Sequence, residues 1–417
     1  MRPMPSPARR LATVAVLLLS VAIAVLVGAW RMGVPIGIGQ VGTPTPLPAT
    51  PTAAPSASQD PLTVFTRIEG QVQALRGLPA ARIGPPQVVT RAQLAQMLPG
   101  LVDPPLDNAT LRAMGLLGAD QDIVALTNQL YDAQVLGFYD FDAKRMVVVS
   151  DSGLTPEARI TYAHEYTHAL QDAAFDSGAA VKQVAGQHDR ELALLGLEEG
   201  DASVAMVLWA IGHLSSAEMS GITETPLPDM SGIPAWMVTL LEYPYLAGST
   251  FVSQLYAPGG WDAVNAVYAD LPASSEQVLH PAKYLAHEAP MTVAPMDLAG
   301  ALGGGWTGAT DSTMGEAWIS TWLEGIGVKA DVAAAAAAGW GGDRLTVATG
   351  PDGAWALAWR IAWDAPAEAT EFEAAYAGVE STLAFPTRLV HAADGGSMVL
   401  QASGTEVVAE IAALAGS

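Results

Sequence analysis

The stretch HEYTH, from His164 to His168, constrains this chain more than any other part of the sequence. Residues four apart lie on the same face of an α-helix, so His164 and His168 can present two imidazole rings to one ion. Glu165 is rotated by about 100° from His164 and therefore lies beside such an ion rather than against it. Two ligands with an adjacent carboxylate are typical of an HExxH metal site, in which the carboxylate is a general base.

The residues around this motif predict a helix that is largely buried. Thr155 is a good N-cap, Pro156 suits the first helical position, and a β-hairpin over 135–150 precedes both. A helix that merely carries two surface histidines is the alternative interpretation. Ile160 and Leu170 argue against it, because they indicate a buried helix, where histidines without partners are costly. We therefore expect a metal site.

The third ligand must come from another part of the chain. Since the sequence contains no cysteine, only His, Asp and Glu are available, and no histidine follows closely after His168. The segment LEEGDAS, on the next long predicted helix, offers Glu198, Glu199 and Asp201. Glu199 shares its helix face with apolar residues such as Leu195 and is the expected ligand, with Glu198 as the alternative. Zinc held by three protein ligands keeps one position for water and is the expected cofactor.

Two carboxylates are candidates for orienting the ligating histidines, as outer partners of metal ligands commonly do. Asp172 lies four residues beyond His168 on the same helix face, and Asp201 closely follows the expected ligand glutamate. An ordinary surface role for each is the alternative.

The first 61 residues predict an anchor and a tether. Residues 11–30 form an uncharged apolar run long enough to cross a bilayer, and more arginines precede this run than follow it. We expect 1–10 to be a basic cytoplasmic segment, 11–30 a transmembrane signal anchor in the lipid bilayer, and 31–61 a Pro/Thr/Ala-rich linker. The expected protein is single-pass, with its folded part outside the cytoplasm. A cleaved signal peptide, which would make it secreted, is the alternative.

The rest of the sequence predicts a mostly helical α+β fold. Helical apolar spacing dominates from 62 to 330, including a helix that begins at Pro244, and the hairpin before the histidine motif interrupts it. Over 340–417, two pairs of strands with Gly-containing turns alternate with helices in the order ββαββα. We expect one unit that carries the motif over 62–330 and a small α+β unit over 340–417.

The charge balance argues against one class of partner. Asp and Glu outnumber Lys and Arg by 42 to 19, which gives a formal net charge of −23. A strongly acidic chain repels the phosphate backbone of DNA and RNA. We therefore expect no nucleic-acid partner.

With HEYTHALQD followed by LEEGDA, the chain resembles the gluzincin zinc metallopeptidases, and most closely a group of uncharacterised, membrane-anchored bacterial HExxH proteins. Segments such as GFYDFDAKRMVVV and SSEQVLHPAKYL extend the resemblance over most of 62–417. The resemblance implies a zincin-like metallopeptidase core and an extracytoplasmic zinc-dependent peptidase that hydrolyses a peptide or protein substrate. In these terms His164, His168 and Glu199 bind zinc, and Glu165 activates the attacking water.

Such peptidases often add a tyrosine or histidine that stabilises the oxyanion of the tetrahedral intermediate. We expect His280 and Tyr284 to be the candidates for this role, with Tyr245 a further one, while a structural role for each stays open. The alternative for the whole protein is a metal-binding surface or scaffold protein without hydrolytic activity. A structural zinc site usually has four protein ligands, and the sequence offers three good ones, which favours a catalytic site.

Overall fold

The computed structural model of the protein describes residues 60–97, 104–149, 154–224 and 230–415. This part of the chain has a mixed α+β fold that is mostly helical and contains two separate β-sheets, as the sequence predicts. The helices are α1 (Pro61–Arg76), α2 (Arg91–Met97), α3 (Asn108–Ala113), α4 (Ile123–Gln134), α5 (Pro156–Phe175), α6 (Ser177–Val184), α7 (His188–His213), α8 (Ser216–Glu224), α9 (Ala235–Val267), α10 (Ser275–Leu279), α11 (Pro281–Leu285), α12 (Leu298–Leu302), α13 (Gly315–Gly325), α14 (Ala330–Ala337), α15 (Pro366–Glu380) and α16 (Thr405–Ala415). The strands are β1 (Gln87–Val89), β2 (Gly137–Asp140), β3 (Arg145–Val149), β4 (Thr307–Ser312), β5 (Trp340–Thr349), β6 (Trp355–Trp363), β7 (Thr387–His391) and β8 (Ser397–Ala402).

The smaller sheet lies next to the histidine helix. Its strand order is β1-β3-β2, with β1 parallel to β3 and β2 antiparallel to β3. The hairpin predicted before the motif is present as β2 and β3, joined by a short turn. Strand β2 is an edge of this sheet, so one side of its backbone faces α5 instead of another strand.

Helix α5 is the buried helix that the motif requires. The side chain of Thr155 accepts a hydrogen bond from the Ala158 main-chain N–H, and Pro156 takes the first position, as its missing N–H and fixed φ favour. The helix ends at Phe175, and the following residue, Asp176, adopts a left-handed conformation with φ of 57°. Every residue from 158 to 172 is buried, so any polar group on this stretch needs a partner inside the protein.

Helices α7 and α9 cross with their backbones in contact. A Cβ atom on Gly200 would lie 2.2 Å from the main-chain oxygen of Gly248, and a Cβ atom on Gly248 would lie 2.1 Å from that of Gly196. Only glycine fits at such a distance, because real side chains do not approach backbone atoms so closely. The crossing therefore holds the LEEGDAS segment of α7 close to α9.

The larger sheet has the strand order β4-β5-β6-β8-β7, and its neighbouring strands are all antiparallel. From residue 340 onward the elements follow as β5, β6, α15, β7, β8 and α16, and β4 joins them from residues 307–312. The buried carboxylate of Asp343 accepts hydrogen bonds from the indole N–H groups of Trp340 and Trp359, at 3.0 and 2.8 Å. These tryptophans are therefore part of the core, with their polar atoms satisfied.

The predicted membrane anchor is corrected here. Among the residues that the structure describes, no helix is both long enough and apolar enough to cross a bilayer, and the longest, α9, is interrupted by the non-helical Gly260. The segments predicted as cytoplasmic terminus, signal anchor and linker fall on 1–59, outside the described residues. The transmembrane assignment and the single-pass localisation are therefore not retained, and the contact with a lipid bilayer stays a prediction.

Candidate metal centre

Three side chains from two helices meet inside the protein. His164 and His168 come from α5 and Glu199 from α7, and all three are buried. The Nε2 atom of His164 lies 3.0 Å from the Oε2 atom of Glu199 and 3.1 Å from the Nε2 atom of His168. The remaining distance, from His168 Nε2 to Glu199 Oε2, is 3.4 Å. Three possible ligand atoms thus form a nearly equilateral triangle.

This triangle has the size that a tetrahedral zinc ion requires. With metal–ligand distances of about 2.0–2.1 Å, two ligands of a tetrahedral ion lie about 3.3 Å apart. Two imidazole nitrogens and one carboxylate oxygen are also a set of ligands that zinc favours. The residues therefore fit a zinc ion with three protein ligands and one further position for water or substrate. The structure places Glu199 in the triangle and leaves the side chain of Glu198 outside it.

Gln171 determines which nitrogen of His168 faces the triangle. The amide nitrogen of Gln171 donates to the main-chain oxygen of Glu198 at 3.0 Å, and a carbonyl oxygen can only accept, so the amide has one possible orientation. The amide oxygen then lies 2.8 Å from His168 Nδ1 and requires a proton on that nitrogen. Neutral His168 consequently keeps its lone pair on Nε2, as a metal ligand must. The spacing of three residues between His168 and Gln171, on one helix face, is a sequence signal for this partner.

Without a bound metal, one positive charge is still needed in the triangle. Burial acts against protonation of His168, but the charge of Glu199 and its hydrogen bond outweigh burial and raise the pKa of His168 to about 10. Burial lowers the pKa of His164, although the hydrogen bond with Glu199 opposes this. Burial also opposes ionisation of Glu199, yet His168 and His164 bring the pKa of Glu199 down to about 2. Glu199 therefore stays ionised, and either a proton on His168 or a metal ion balances its charge.

Glu165 lies beside the triangle, and only one of its two carboxylate oxygens accepts a hydrogen bond from the described residues. Its Oε2 atom accepts a hydrogen bond from the main-chain N–H of Tyr139, on edge strand β2, at 2.9 Å. Its Oε1 atom is buried and has no hydrogen-bond partner within the part of the chain that is described. Burial raises the pKa of Glu165 to about 8, and the charge of Glu199 adds to this increase while His168 opposes it. The free oxygen is thus available to a small polar molecule such as water.

The acids expected to orient the histidines have other partners. Asp172 accepts a hydrogen bond from the hydroxyl of Tyr139 at 2.8 Å, so it fixes the residue whose main-chain N–H holds Glu165. Asp201 makes two hydrogen bonds with the guanidinium group of Arg76, at 2.7 and 2.8 Å. Asp201 therefore joins α7 to α1.

Tyr245, on α9, lies next to the triangle. Its side chain is fully buried, and its ring centroid is 6.3 Å from that of His164. The hydroxyl makes no hydrogen bond of ordinary geometry with the described residues. Burial raises the pKa of Tyr245 well above its usual value, and the nearby charges of Glu199 and Glu165 raise it further. Tyr245 therefore keeps its proton and is a buried hydrogen-bond donor close to Glu199.

His280 and Tyr284, the two residues expected to stabilise an oxyanion, are placed differently. The Nε2 atom of His280 lies 2.9 Å from Glu316 Oε1, and the hydroxyl of Tyr284 donates to the main-chain oxygen of Asp270 at 2.9 Å. The Nε2 atom of His280 and the hydroxyl of Tyr284 thus have partners outside the triangle. No local pattern in the sequence distinguishes Tyr245 from them, because each position depends on how distant helices pack.

Part of the chain is similar to a known protein family. Residues 305–413 match a domain of unknown function (DUF8575). This region contains the larger sheet and does not include the triangle, Glu165 or Tyr245. No curated protein and no solved structure matches the chain significantly.

Proposed function

We propose that this protein is a zinc-dependent peptidase with a zincin-like core formed by the smaller sheet, α5 and α7. The observation that carries the proposal is the triangle of His164, His168 and Glu199 ligand atoms, with sides of 3.0, 3.1 and 3.4 Å. A structural zinc site usually has a fourth protein ligand. Among the described residues no further His, Asp or Glu atom joins this group, and Glu165 lies beside it, which supports a catalytic role.

The neighbouring residues have the properties that peptide hydrolysis needs. When bound, zinc polarises a substrate carbonyl and lowers the pKa of a water molecule toward ~7. The Oε1 atom of Glu165 accepts a proton from the attacking water, and the acid so formed passes this proton to the leaving amine. The N–H of Tyr139 holds the other oxygen, so the carboxylate is oriented before a substrate arrives.

Tyr245 supplies the hydrogen bond that the tetrahedral intermediate requires. Its protonated hydroxyl is buried beside the triangle, close to Glu199, and makes no hydrogen bond of ordinary geometry with the described residues. As the substrate carbonyl oxygen gains negative charge, this donor stabilises it, and a buried site makes such a hydrogen bond stronger than it is in water. The donor is already in place, so little reorganisation is needed during the reaction.

Incubation of the full-length, zinc-loaded chain with a diverse peptide mixture tests the proposal. New peptide termini are mapped by mass spectrometry for the wild type, Glu165→Gln and Glu157→Gln. We expect cleavage by the wild type and by Glu157→Gln, which makes the same change in the first turn of the same helix. In Glu165→Gln the rate should fall by roughly 10²–10⁴-fold, the usual contribution of a general base.

Measuring the zinc content of the same samples shows whether a loss of cleavage is caused by a loss of zinc. Equal zinc in the wild type and Glu165→Gln, with cleavage lost only in the latter, supports the role given to Glu165. Bound zinc without cleavage by any of the three proteins contradicts the peptidase proposal. That result favours a metal-binding protein without hydrolytic activity.

A further inference from the structure

An apolar cavity of about 170 Å³ lies between α4, α6, α7 and α9. Leucine, isoleucine, valine, proline, methionine and tryptophan side chains form most of its wall. The polar residues that line it are Thr127, Tyr131, His188 and Glu191, and no lysine or arginine is found among the described residues of the lining. The cavity is therefore suited to an uncharged apolar group.

One end of this cavity is a single helical turn from the metal centre. On α7, Leu195 lines the cavity and Glu199 follows four residues later; on α9, Leu241 lines it and Tyr245 follows at the same spacing. Residues four apart share a helix face and are separated by about 6 Å along the axis. Tyr131 also lines the cavity and lies close enough to Tyr245 for the two phenol groups to interact electrostatically. Three helices thus connect the cavity to the site.

The size and polarity of the cavity determine which kind of side chain it can bind. A cavity of about 150 Å³ lined by apolar side chains holds benzene, so this one accommodates side chains from leucine to phenylalanine or tyrosine. A negatively charged side chain would lose its hydration without meeting a lysine or arginine among the described lining residues, and Glu191 of the lining already pairs with His188. The hydroxyl of Thr127 is buried in the wall and has no hydrogen-bond partner among the described residues, so it can bond a polar end of the group that enters.

We propose that this cavity binds the substrate side chain next to the scissile peptide bond, and that the protein cleaves beside leucine, methionine, phenylalanine or tyrosine. An extended peptide advances about 3.3–3.6 Å per residue. With one carbonyl group at the metal centre, a neighbouring side chain therefore reaches a cavity that begins one helical turn away. This inference rests on the proposed peptidase activity and adds the class of substrate.

The kinetics of the full-length, zinc-loaded chain test the inference. Peptides that differ only beside the scissile bond carry Ala, Leu, Phe, Tyr or Asp at that position. We expect kcat/KM to be at least about 10-fold higher for Leu and Phe than for Ala, and lowest for Asp. Leu241→Phe fills the cavity and should lower the Phe-to-Ala ratio about 10-fold. Leu246→Phe, at a position 43% exposed on the same helix, is the control and should leave the ratio unchanged.

A second variant covers the case in which Leu241→Phe does not fold. Thr127→Val keeps the shape of the side chain and removes only its hydroxyl, so kcat/KM for the Tyr peptide relative to the Phe peptide should fall about fivefold. Equal Phe-to-Ala ratios in the wild type and folded Leu241→Phe overturn the inference. If that variant is not folded, an unchanged Tyr-to-Phe ratio in Thr127→Val overturns it.

Binding without turnover distinguishes a failure of this inference from a failure of the proposed function. Saturation-transfer NMR of zinc-loaded Glu165→Gln with N-acetyl-phenylalaninamide and N-acetyl-alaninamide should show binding of the first compound only. Introducing the Leu241→Phe substitution into the Glu165→Gln variant should abolish that signal. Binding of the phenylalanine compound together with no hydrolysis by the wild type contradicts the peptidase proposal alone. Hydrolysis without a preference for large apolar residues contradicts the cavity inference alone.

Discussion

Two clusters of possible metal ligands in this protein have their negative charge neutralised in different ways. The imidazole cluster consists of His164, His168 and Glu199, and the lysine cluster consists of Glu276, Glu288 and Asp364 around Lys283. Both bring three possible ligand atoms within reach of one cation. In the lysine cluster, the ammonium group lies 2.7 Å from a carboxylate oxygen of Glu276 and of Glu288 and also pairs with Asp364. The imidazole cluster contains no lysine, and a proton on His168 or a metal ion balances the charge of Glu199.

The difference teaches that closely spaced acids are not sufficient evidence for a metal site. What matters is whether the positive charge is a lysine ammonium group, which stays in place, or a proton on histidine, which a metal ion can replace. Asp189 shows a third solution: burial raises its pKa to about 8, the charges of Asp343 and Glu276 add to this while hydrogen bonds from Ser275 oppose it, and the group is mostly protonated at pH 7. A lysine, a proton and, in our proposal, a metal ion thus neutralise acidic groups at three places in the fold.

The largest effect is expected for Glu199→Ala. The substitution leaves two ligands in the imidazole cluster, and zinc affinity should fall by more than about 100-fold, since loss of an outer partner alone costs up to about that factor. Competition with a chromophoric chelator measures the affinity. Glu288→Ala, which removes an acid from the lysine cluster, is the matched control and should bind zinc as the wild type does. Equal affinities in the two variants would contradict the assignment of Glu199.

Gln171→Leu should lower zinc affinity by about 10–100-fold, as loss of an outer partner of a ligating histidine does. The leucine has a similar size but cannot accept the proton on His168 Nδ1, so either imidazole tautomer becomes possible. The same chelator competition gives the result. Gln183→Leu makes this change at an exposed position on α6 and should have no effect. Unchanged affinity in Gln171→Leu would show that His168 does not depend on this hydrogen bond.

Lys283→Met should destabilise the fold by about 1–2 kcal/mol at pH 7. Three carboxylates then lose their cation, and the loss is smaller than for a fully buried pair because the lysine side chain is 21% exposed. Millimolar calcium, which prefers oxygen ligands, should restore part of the stability of the variant and little in the wild type. Urea unfolding with and without calcium measures both effects. Equal stabilisation of the two proteins by calcium would speak against a simple exchange of cations.

Asp189→Asn should change how stability depends on pH. Between about pH 4 and pH 8 the carboxyl is ionised in the unfolded chain and neutral in the folded one, so its contribution is full below the unfolded pKa and is lost as pH rises toward the folded pKa. Asparagine does not titrate, so the variant should gain about 1 kcal/mol relative to the wild type from pH 6 to pH 7. Urea unfolding at the two pH values measures the difference. Parallel stability profiles would show that Asp189 is ionised in the folded state.

The features predicted well from the sequence are those with local causes. Thr155 accepts the Ala158 N–H and Pro156 begins α5, so the helix that carries the motif begins where its cap indicates. The choice of Glu199 over Glu198 followed from the face of one helix, and the structure brings Glu199 to the two histidines. Both inferences use only the period of an α-helix and side chains that are close in sequence.

The features that the sequence did not indicate depend on packing between distant segments. Strand β1 pairs with β3, which lies more than fifty residues later in the chain. A strand of only three residues has no sequence pattern that would indicate its partner. The helix expected to begin at Pro244 begins instead at Ala235, because packing of the preceding turns in the core outweighs the hydrogen bond that proline removes. Tyr245 lies next to the triangle only because of where this longer helix lies, so the local sequence could not favour it over His280 and Tyr284.

The contact between Gly200 and Gly248 sets a lower limit on the separation of α7 and α9. Because main-chain atoms touch there, no substitution can bring the two helices closer, and every residue larger than glycine must force them apart. Other core positions can exchange one apolar residue for another without altering this distance. Mutational drift elsewhere in the core therefore leaves the spacing between Glu199 and Tyr245 unchanged, whereas a single added methyl group at the crossing separates them.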